Sequence, residues 1–407
     1  MTRSKGRGVS RRRFMAGVGA LSAPAAMGAG LSVTQSRAPR SIYEELGVRP
    51  FINAAGTYTA LSGSLLHPEV RSAMEEASRA HVSIEELQRA CGERIASLTG
   101  AQAALVTSGC AAALMLATAA CVCGEDEAAI KQVPDTTGLK NEVIFVKEHR
   151  FGYDHAIRNV GVDIIDAESA TEIRDAISER TAMLFFLNFA EGRSAVSRQD
   201  LVAIGKEKGV PTLLDAAADL PPVDNLRAYI EMGYDLVAYS GGKALRGPQC
   251  SGLLVGRKDL IAAAYRNGPP NGDTVGRIAK VGKEEIVGVT RAVEIYADKD
   301  HGAEWERWES HVRHIQSAVA DVPGVRSERF VPEIANAVPH VAIEWDQSRI
   351  DMTRADFAQA LSDGEPRIEV RPSDPLAPRL EIGVWMMDGD EYRIVAGRCA
   401  EVLQAAL

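Results

Sequence analysis

The sequence predicts an α/β fold, with a large domain built on a mostly parallel sheet and a smaller α+β domain after it. Three observations carry that expectation. Short apolar runs at Ala103–Thr107, Val143–Val146, Val162–Ile165, Ala182–Asn188, Thr212–Asp215 and Leu236–Ser240 alternate with helical stretches. Strands buried on both faces read as continuous apolar runs, and strands that alternate with helices pair in parallel beneath them. Beyond about Gly288 the alternation stops: a long helical stretch runs through Trp305 and His314, and strands follow near Val341–Trp345 and Leu380–Val384.

Taken in order, residues 1–40 read as a signal and linker, 41–288 as the large domain with a lead segment over 41–70, and 289–407 as the small domain. Arg11, Arg12, Arg13 and Phe14 precede an Ala/Gly-rich apolar run to about Val33, the pattern of a twin-arginine export signal. That run is too short and too rich in small residues for a membrane span. The expected location is therefore periplasmic or otherwise exported, with no membrane attachment beyond the signal. The apolar Phe51-Ile52-Asn53 follows the lead. Glu69–Arg79 reads as a helix with Pro68 in its first turn, and Ile84–Leu98 as an amphipathic helix. Leu253–Val255 is a further short strand, and Asp390–Leu407 is a closing helix.

The composition is that of a soluble globular chain: 407 residues, 46% hydrophobic and 25% charged. A net charge of −9 argues against a broad nucleic-acid surface, because phosphate binding needs clustered Lys and Arg. The six cysteines form no CxxC pair and accompany no His-rich stretch, so no metal site is expected, and most read as buried small residues.

Three segments carry chemistry. Thr107-Ser108-Gly109-Cys110 turns from a strand into an Ala-rich helix, and such a turn offers backbone N–H groups to a phosphate. Asp215 ends the strand Thr212–Leu214, where α/β sheets place ligands. Lys243 follows the strand Leu236–Ser240 after Gly241 and Gly242, which permit a sharp turn and close approach of backbone to a ligand. A Lys held there can form a Schiff base. The ordered set on successive strands is more specific than any one member. It is the layout of a site for pyridoxal 5′-phosphate (PLP), in which a carboxylate keeps the pyridine nitrogen protonated.

Asp215-Ala-Ala-Ala-Asp-Leu, Ser240-Gly-Gly-Lys243-Ala-Leu-Arg-Gly-Pro-Gln249, Gly276-Arg-Ile-Ala-Lys-Val-Gly-Lys-Glu-Glu-Ile286 and Ile52-Asn53-Ala54-Ala55-Gly56 together resemble a specific group. It is the family of bacterial selenocysteine synthase (L-seryl-tRNA selenium transferase) and its relatives, including D-glucosaminate-6-phosphate ammonia-lyase. The resemblance runs from about Ser41 to the end. It implies an aspartate-aminotransferase-like fold (PLP fold type I) and self-association to a dimer or higher oligomer with shared active sites. Lys243 then carries the internal aldimine and Asp215 pairs with the pyridine nitrogen. Ser108, Gly109 and Cys110 line the phosphate, Asn188 lies near the phenolic oxygen, and Ser240 belongs to the cofactor turn. His149 is the candidate for stacking on the ring, and His155 for proton transfer. Arg277, Lys280 and Lys283 recur at near-helical spacing as one basic face for an anionic group, and Arg371 and Arg379 are candidates for a substrate carboxylate.

Two departures from the family bear on function. Only about ten residues separate the signal from Phe51, where the selenium transferase carries a tRNA domain. Phe189-Ala190-Glu191-Gly192 stands where the ammonia-lyase has a His-rich stretch. The expectation is an enzyme that abstracts the α-proton of a small amino-acid-like substrate and expels a β-leaving group, with no nucleic-acid partner. An amino-acid racemase, a seryl-tRNA transferase and an exported non-catalytic binding protein are the alternatives.

Overall fold

The structure, a computed structural model, describes residues 41–407 apart from Asp374; the signal expected over residues 1–40 lies outside the described residues. The chain divides into two compact units, Met1–Arg49 and Pro50–Leu407. In the first, the described part is α1 (Ile42–Glu45), capped by Ser41, whose Oγ accepts from the Glu44 N–H at 3.2 Å.

The second unit opens with β1 (Phe51–Ala54), α2 (Pro68–Ser78) and α3 (Ile84–Thr99). Then come β2 (Ala103–Thr107), α4 (Cys110–Cys123), α5 (Glu127–Gln132), β3 (Glu142–Val146), α6 (Asp154–Arg158), β4 (Asp163–Ala167), α7 (Ala170–Ala176) and β5 (Thr181–Leu187). They are followed by α8 (Arg198–Lys208), β6 (Thr212–Asp215), α9 (Asn225–Met232), β7 (Leu236–Ser240), β8 (Gly252–Gly256) and α10 (Lys258–Arg266). The chain ends through α11 (Lys283–Asp298), α12 (His301–Val319), β9 (Val325–Phe330), β10 (His340–Trp345), α13 (Arg354–Asp363), β11 (Arg367–Val370), β12 (Arg379–Gly383) and α14 (Glu391–Ala405).

The central sheet has the order β2-β8-β7-β6-β5-β3-β4, and only β8 runs antiparallel to its neighbours. Its inner strand β5 is buried along its whole length because both faces are covered, whereas the edge strand β4 carries the exposed Asp163 and Asp166. Along β5, Met183, Phe185 and Leu187 pack into one core with α4 and α10, while Leu184 and Phe186 enter the other with α3, α8 and α11. A three-stranded antiparallel sheet, β12-β10-β9, and a two-stranded parallel pair, β1-β11, complete the unit. Among the described residues, no helix is long and apolar enough to cross a membrane.

Two local expectations change. The helical stretch after Gly288 is two helices, broken at Lys299 and Asp300, where the Asp300 carboxylate accepts from the Ala303 N–H at 2.9 Å and starts α12. All six cysteines are free, but only Cys123 and Cys399 are buried, and Cys250 is exposed in the turn before β8.

Candidate active site

β2, β5, β6 and β7 point the same way in the sheet, so their carboxyl ends meet at one edge. That edge collects Ser108–Cys110, Asn188, Asp215 and Lys243, each in the loop or at the residue that closes its strand. The first amides of α4 have no intrahelical partner and no side-chain cap, since the Gly109 N-cap (φ 110°) has none to offer. The start of β8 lies hard against this turn. A Cβ on Gly252 would sit 2.4 Å from the Gly109 carbonyl carbon, so only glycine fits.

The Lys243 turn is built by packing. A Cβ on Gly242 would meet the Gln249 Cα at 2.6 Å, so the residue before Lys243 must lack a side chain. The rest of the motif clamps the lead segment. Arg246 Nε donates to the Leu65 carbonyl at 2.8 Å and Gln249 Nε2 to that of Thr59 at 3.1 Å. The Ser64 hydroxyl donates to the Gly242 carbonyl at 3.1 Å.

Asp215 is 5% exposed and accepts from the Ala217 N–H at 2.9 Å and from the Cys110 thiol at 3.6 Å. Burial raises its pKa, opposed by the Ala217 amide and by Lys243, and no salt bridge reaches it among the described residues. Burial also pushes the Cys110 thiol up, so it stays protonated beside the carboxylate. Asn188 donates through Nδ2 to the Tyr229 hydroxyl at 3.1 Å, which donates to Asp219 at 3.2 Å, while Asn188 Oδ1 is buried without a partner. Asp219 is 3% exposed, and its carboxyl is pushed up to about 7 by burial and then by Asp215. Sequence reasoning passed over Asp219, although it stands four residues after Asp215 in the quoted motif.

Beside Lys243 lies a cavity of about 90 Å³ bounded by Ala55–Tyr58, Asn336, His340, Arg371 and Trp385. β1 and β11 pair in parallel, so the segment after Ala54 and Arg371 after Val370 emerge together at its wall. Asn53 shapes the first of these, its Oδ1 accepting from the amides of Ala55 (3.0 Å) and Gly56 (2.9 Å). Asn336, His340 and Trp385 carry no local sequence signal, because long-range pairing brings them here.

Other predicted residues lie elsewhere. His149 is fully buried, edge-on to Phe186 with ring centroids 4.3 Å apart. Its Nδ1 accepts from the Leu187 N–H and its Nε2 meets the Ser194 hydroxyl, both at 3.3 Å, so both nitrogens are engaged inside the fold. Burial lowers its pKa to about 4. His155 is exposed on α6 beside Arg158. Arg379 is held among carboxylates, 2.5 Å from Glu344 and 3.3 Å from Glu381. Arg277, Lys280 and Lys283 do not share a helical face. Arg277 sits in the 3₁₀ turn Val275–Ile278, Lys280 is in the connection, and Lys283 opens α11 after the Gly282 N-cap, donating to the Ala77 carbonyl at 2.8 Å.

Comparison with known proteins follows the same lines. Residues 51–306 match the family model "SelA: L-seryl-tRNA selenium transferase". A 5′-C-glycyluridine monooxygenase-decarboxylase from a Streptomyces species is 31% identical over 89% of this chain and 92% of its own. A D-glucosaminate-6-phosphate ammonia lyase from Salmonella typhimurium is 29% identical over 90% and 99%. A solved structure of D-glucosaminate-6-phosphate ammonia-lyase superimposes with a TM-score of 0.80 at 28% identity, over 90% of this chain and 99% of that one. The fold is the aminotransferase-like α/β type expected from the sequence.

Proposed function

The chain belongs to the L-seryl-tRNA selenium transferase family and is an enzyme of the lyase or transferase kind, and from that premise we infer that it uses PLP to act on a small amino acid, removing the proton at Cα and expelling a β-substituent as ammonia-lyases do. The observation that carries this reading is Asp215: a buried carboxylate facing Lys243, without a salt bridge among the described residues, which suits a protonated ring nitrogen. The free amides at the start of α4 suit the phosphate, the unpartnered Asn188 Oδ1 is a polar group awaiting a ligand at the same edge, and Lys243 suits the aldehyde carbon. When bound, PLP supplies the electron sink that acidifies the bond at Cα.

The chain's own residues do the rest. Lys243 Nζ takes the Cα proton as general base. Arg371, with Nη1 buried and unpartnered at the cavity, holds the carboxylate, a task for which the engaged Arg379 is poorly placed. The reading extends to export by way of Arg11 and Arg12 and to a self-associating enzyme with no nucleic-acid partner. A visible absorption spectrum of the purified protein, repeated with a panel of small amino acids, is the test. A colourless protein, or a band that no amino acid alters, sinks the reading.

A further inference from the structure

Three residues that line the cavity beside Lys243 each carry a buried polar atom without a partner: Arg371 Nη1, Trp385 Nε1 and Asn336 Oδ1. Trp385 is 4% exposed, and its indole N–H has no hydrogen-bond partner within the chain. A buried polar atom left unpaired destabilises a fold, and three around one cavity match the pattern of a ligand with two acceptors and a donor. Arg371 and Trp385 offer donors, one of them cationic, and Asn336 offers an acceptor. His340 adds no charge. Its Nδ1 faces the Val338 carbonyl at 2.7 Å, and burial lowers its pKa to about 4.

The backbone that presents Asn336 is strained. Ala335 and Asn336 take φ of 59° and 47°, two successive residues with a Cβ in the left-handed region. One tertiary and one local hydrogen bond hold this conformation. The Asn336 N–H donates to the carbonyl of Ala218 at 2.8 Å, one residue before Asp219, and the Asn336 carbonyl accepts from the Val338 N–H at 2.8 Å. Strain over-determined by its surroundings and located at a cavity points to a functional role for the side chain it aims.

We propose that Asn336 and Trp385 are specificity-determining residues of this site. Trp385 Nε1 shares the substrate carboxylate with Arg371, and Asn336 Oδ1 accepts a hydrogen bond from a donor on the neighbouring carbon, so that a short hydroxy-amino acid is taken over its deoxy analogue. The inference rests on the reading of Lys243 as the cofactor lysine, and its test separates the two. Serine and alanine differ by that one hydroxyl. Each is titrated, in both enantiomers, against wild type, Asn336→Gly and Ala335→Gly, and binding is read from the melting temperature and from the visible spectrum.

Wild type binds one serine enantiomer about 10- to 100-fold tighter than the matching alanine, the span expected when an unmade hydrogen bond leaves a buried acceptor unpaired. Asn336→Gly relieves the strain and melts no lower than wild type, yet loses the discrimination. Ala335→Gly relieves the same strain and keeps it. Equal affinity for serine and alanine in wild type, or discrimination retained by Asn336→Gly, overturns the proposal. Absence of a visible band overturns the Lys243 reading instead, and the melting-temperature titrations still decide the role of Asn336.

Discussion

Replacing Asp219 by Asn should stabilise the protein, and more so at alkaline pH. The carboxyl is 3% exposed, and its pKa of about 7 exceeds the ordinary 3.8 by about three units. Folding therefore tightens proton binding. Below about pH 4 both folded and unfolded chains hold the proton and no penalty applies. As pH rises the unfolded chain releases it first, and stability falls until the folded carboxyl ionises near 7. At 1.36 kcal/mol per unit the full penalty is about 4 kcal/mol above pH 8, and about 2 kcal/mol at pH 5. Asn carries no such penalty, and its amide oxygen can still accept from the Tyr229 hydroxyl, now 3.2 Å from Asp219. For a unit of 358 residues (Pro50–Leu407), an unfolding entropy of about 2.1 cal/mol/K per residue turns these into a rise of about 5 °C at pH 8.5 and about 2 °C at pH 5. Differential scanning calorimetry of wild type and Asp219→Asn at both pH values measures it. A shift equal at the two pH values, or a variant that melts lower at pH 8.5, would refute the reasoning.

Other perturbations follow from the same geometry. Lys243→Ala should abolish the visible band, and borohydride reduction with peptide mapping should label Lys243 in wild type; a label on any other lysine removes the assignment. Asp215→Ala should retain cofactor through the phosphate turn while turnover falls by about 10²- to 10³-fold, the scale of one lost electrostatic partner; near-normal turnover is incompatible with its role. Arg11→Lys with Arg12→Lys should hold the precursor in the cytoplasm, because a receptor reads the guanidinium pair rather than its charge, and fractionation tests this. Filter binding at about 0.15 M salt should detect no tight seryl-tRNA complex with a chain of net charge −9; micromolar affinity would return the transferase to first place.

What was legible in the sequence was local. The strands ending at Thr107, Asp215 and Ser240 match their apolar runs residue for residue, because a strand covered on both faces must be apolar along its length. Asp215 and Lys243 followed at once, being fixed to strand ends. β9 escaped notice because it is an edge strand whose residues, such as Arg326 and Glu328, are polar and exposed, leaving no apolar run to see. The basic residues 277–283 suggested a helix by spacing alone, and the glycines at 276 and 282 outweigh that spacing. Asn336 and Trp385 were invisible for a different reason. They reach Lys243 through sheet pairing and loop anchoring across more than 90 residues, and no short window of sequence encodes that.

The pairing of β1 with β11 also sets a clock. Phe51 lies opposite Arg367, so 316 residues separate the partners. At about 5–20 residues per second, a ribosome needs roughly 15–60 s to deliver the second strand after the first. For that interval Ile52 and Ala54, both buried in the finished protein, have no neighbour in their own sheet. The wall that carries Gly56 and Arg371 closes only when nearly the whole polypeptide has been made, so a nascent chain halted before residue 367 holds Lys243 and Asp215 but cannot complete the pocket they serve.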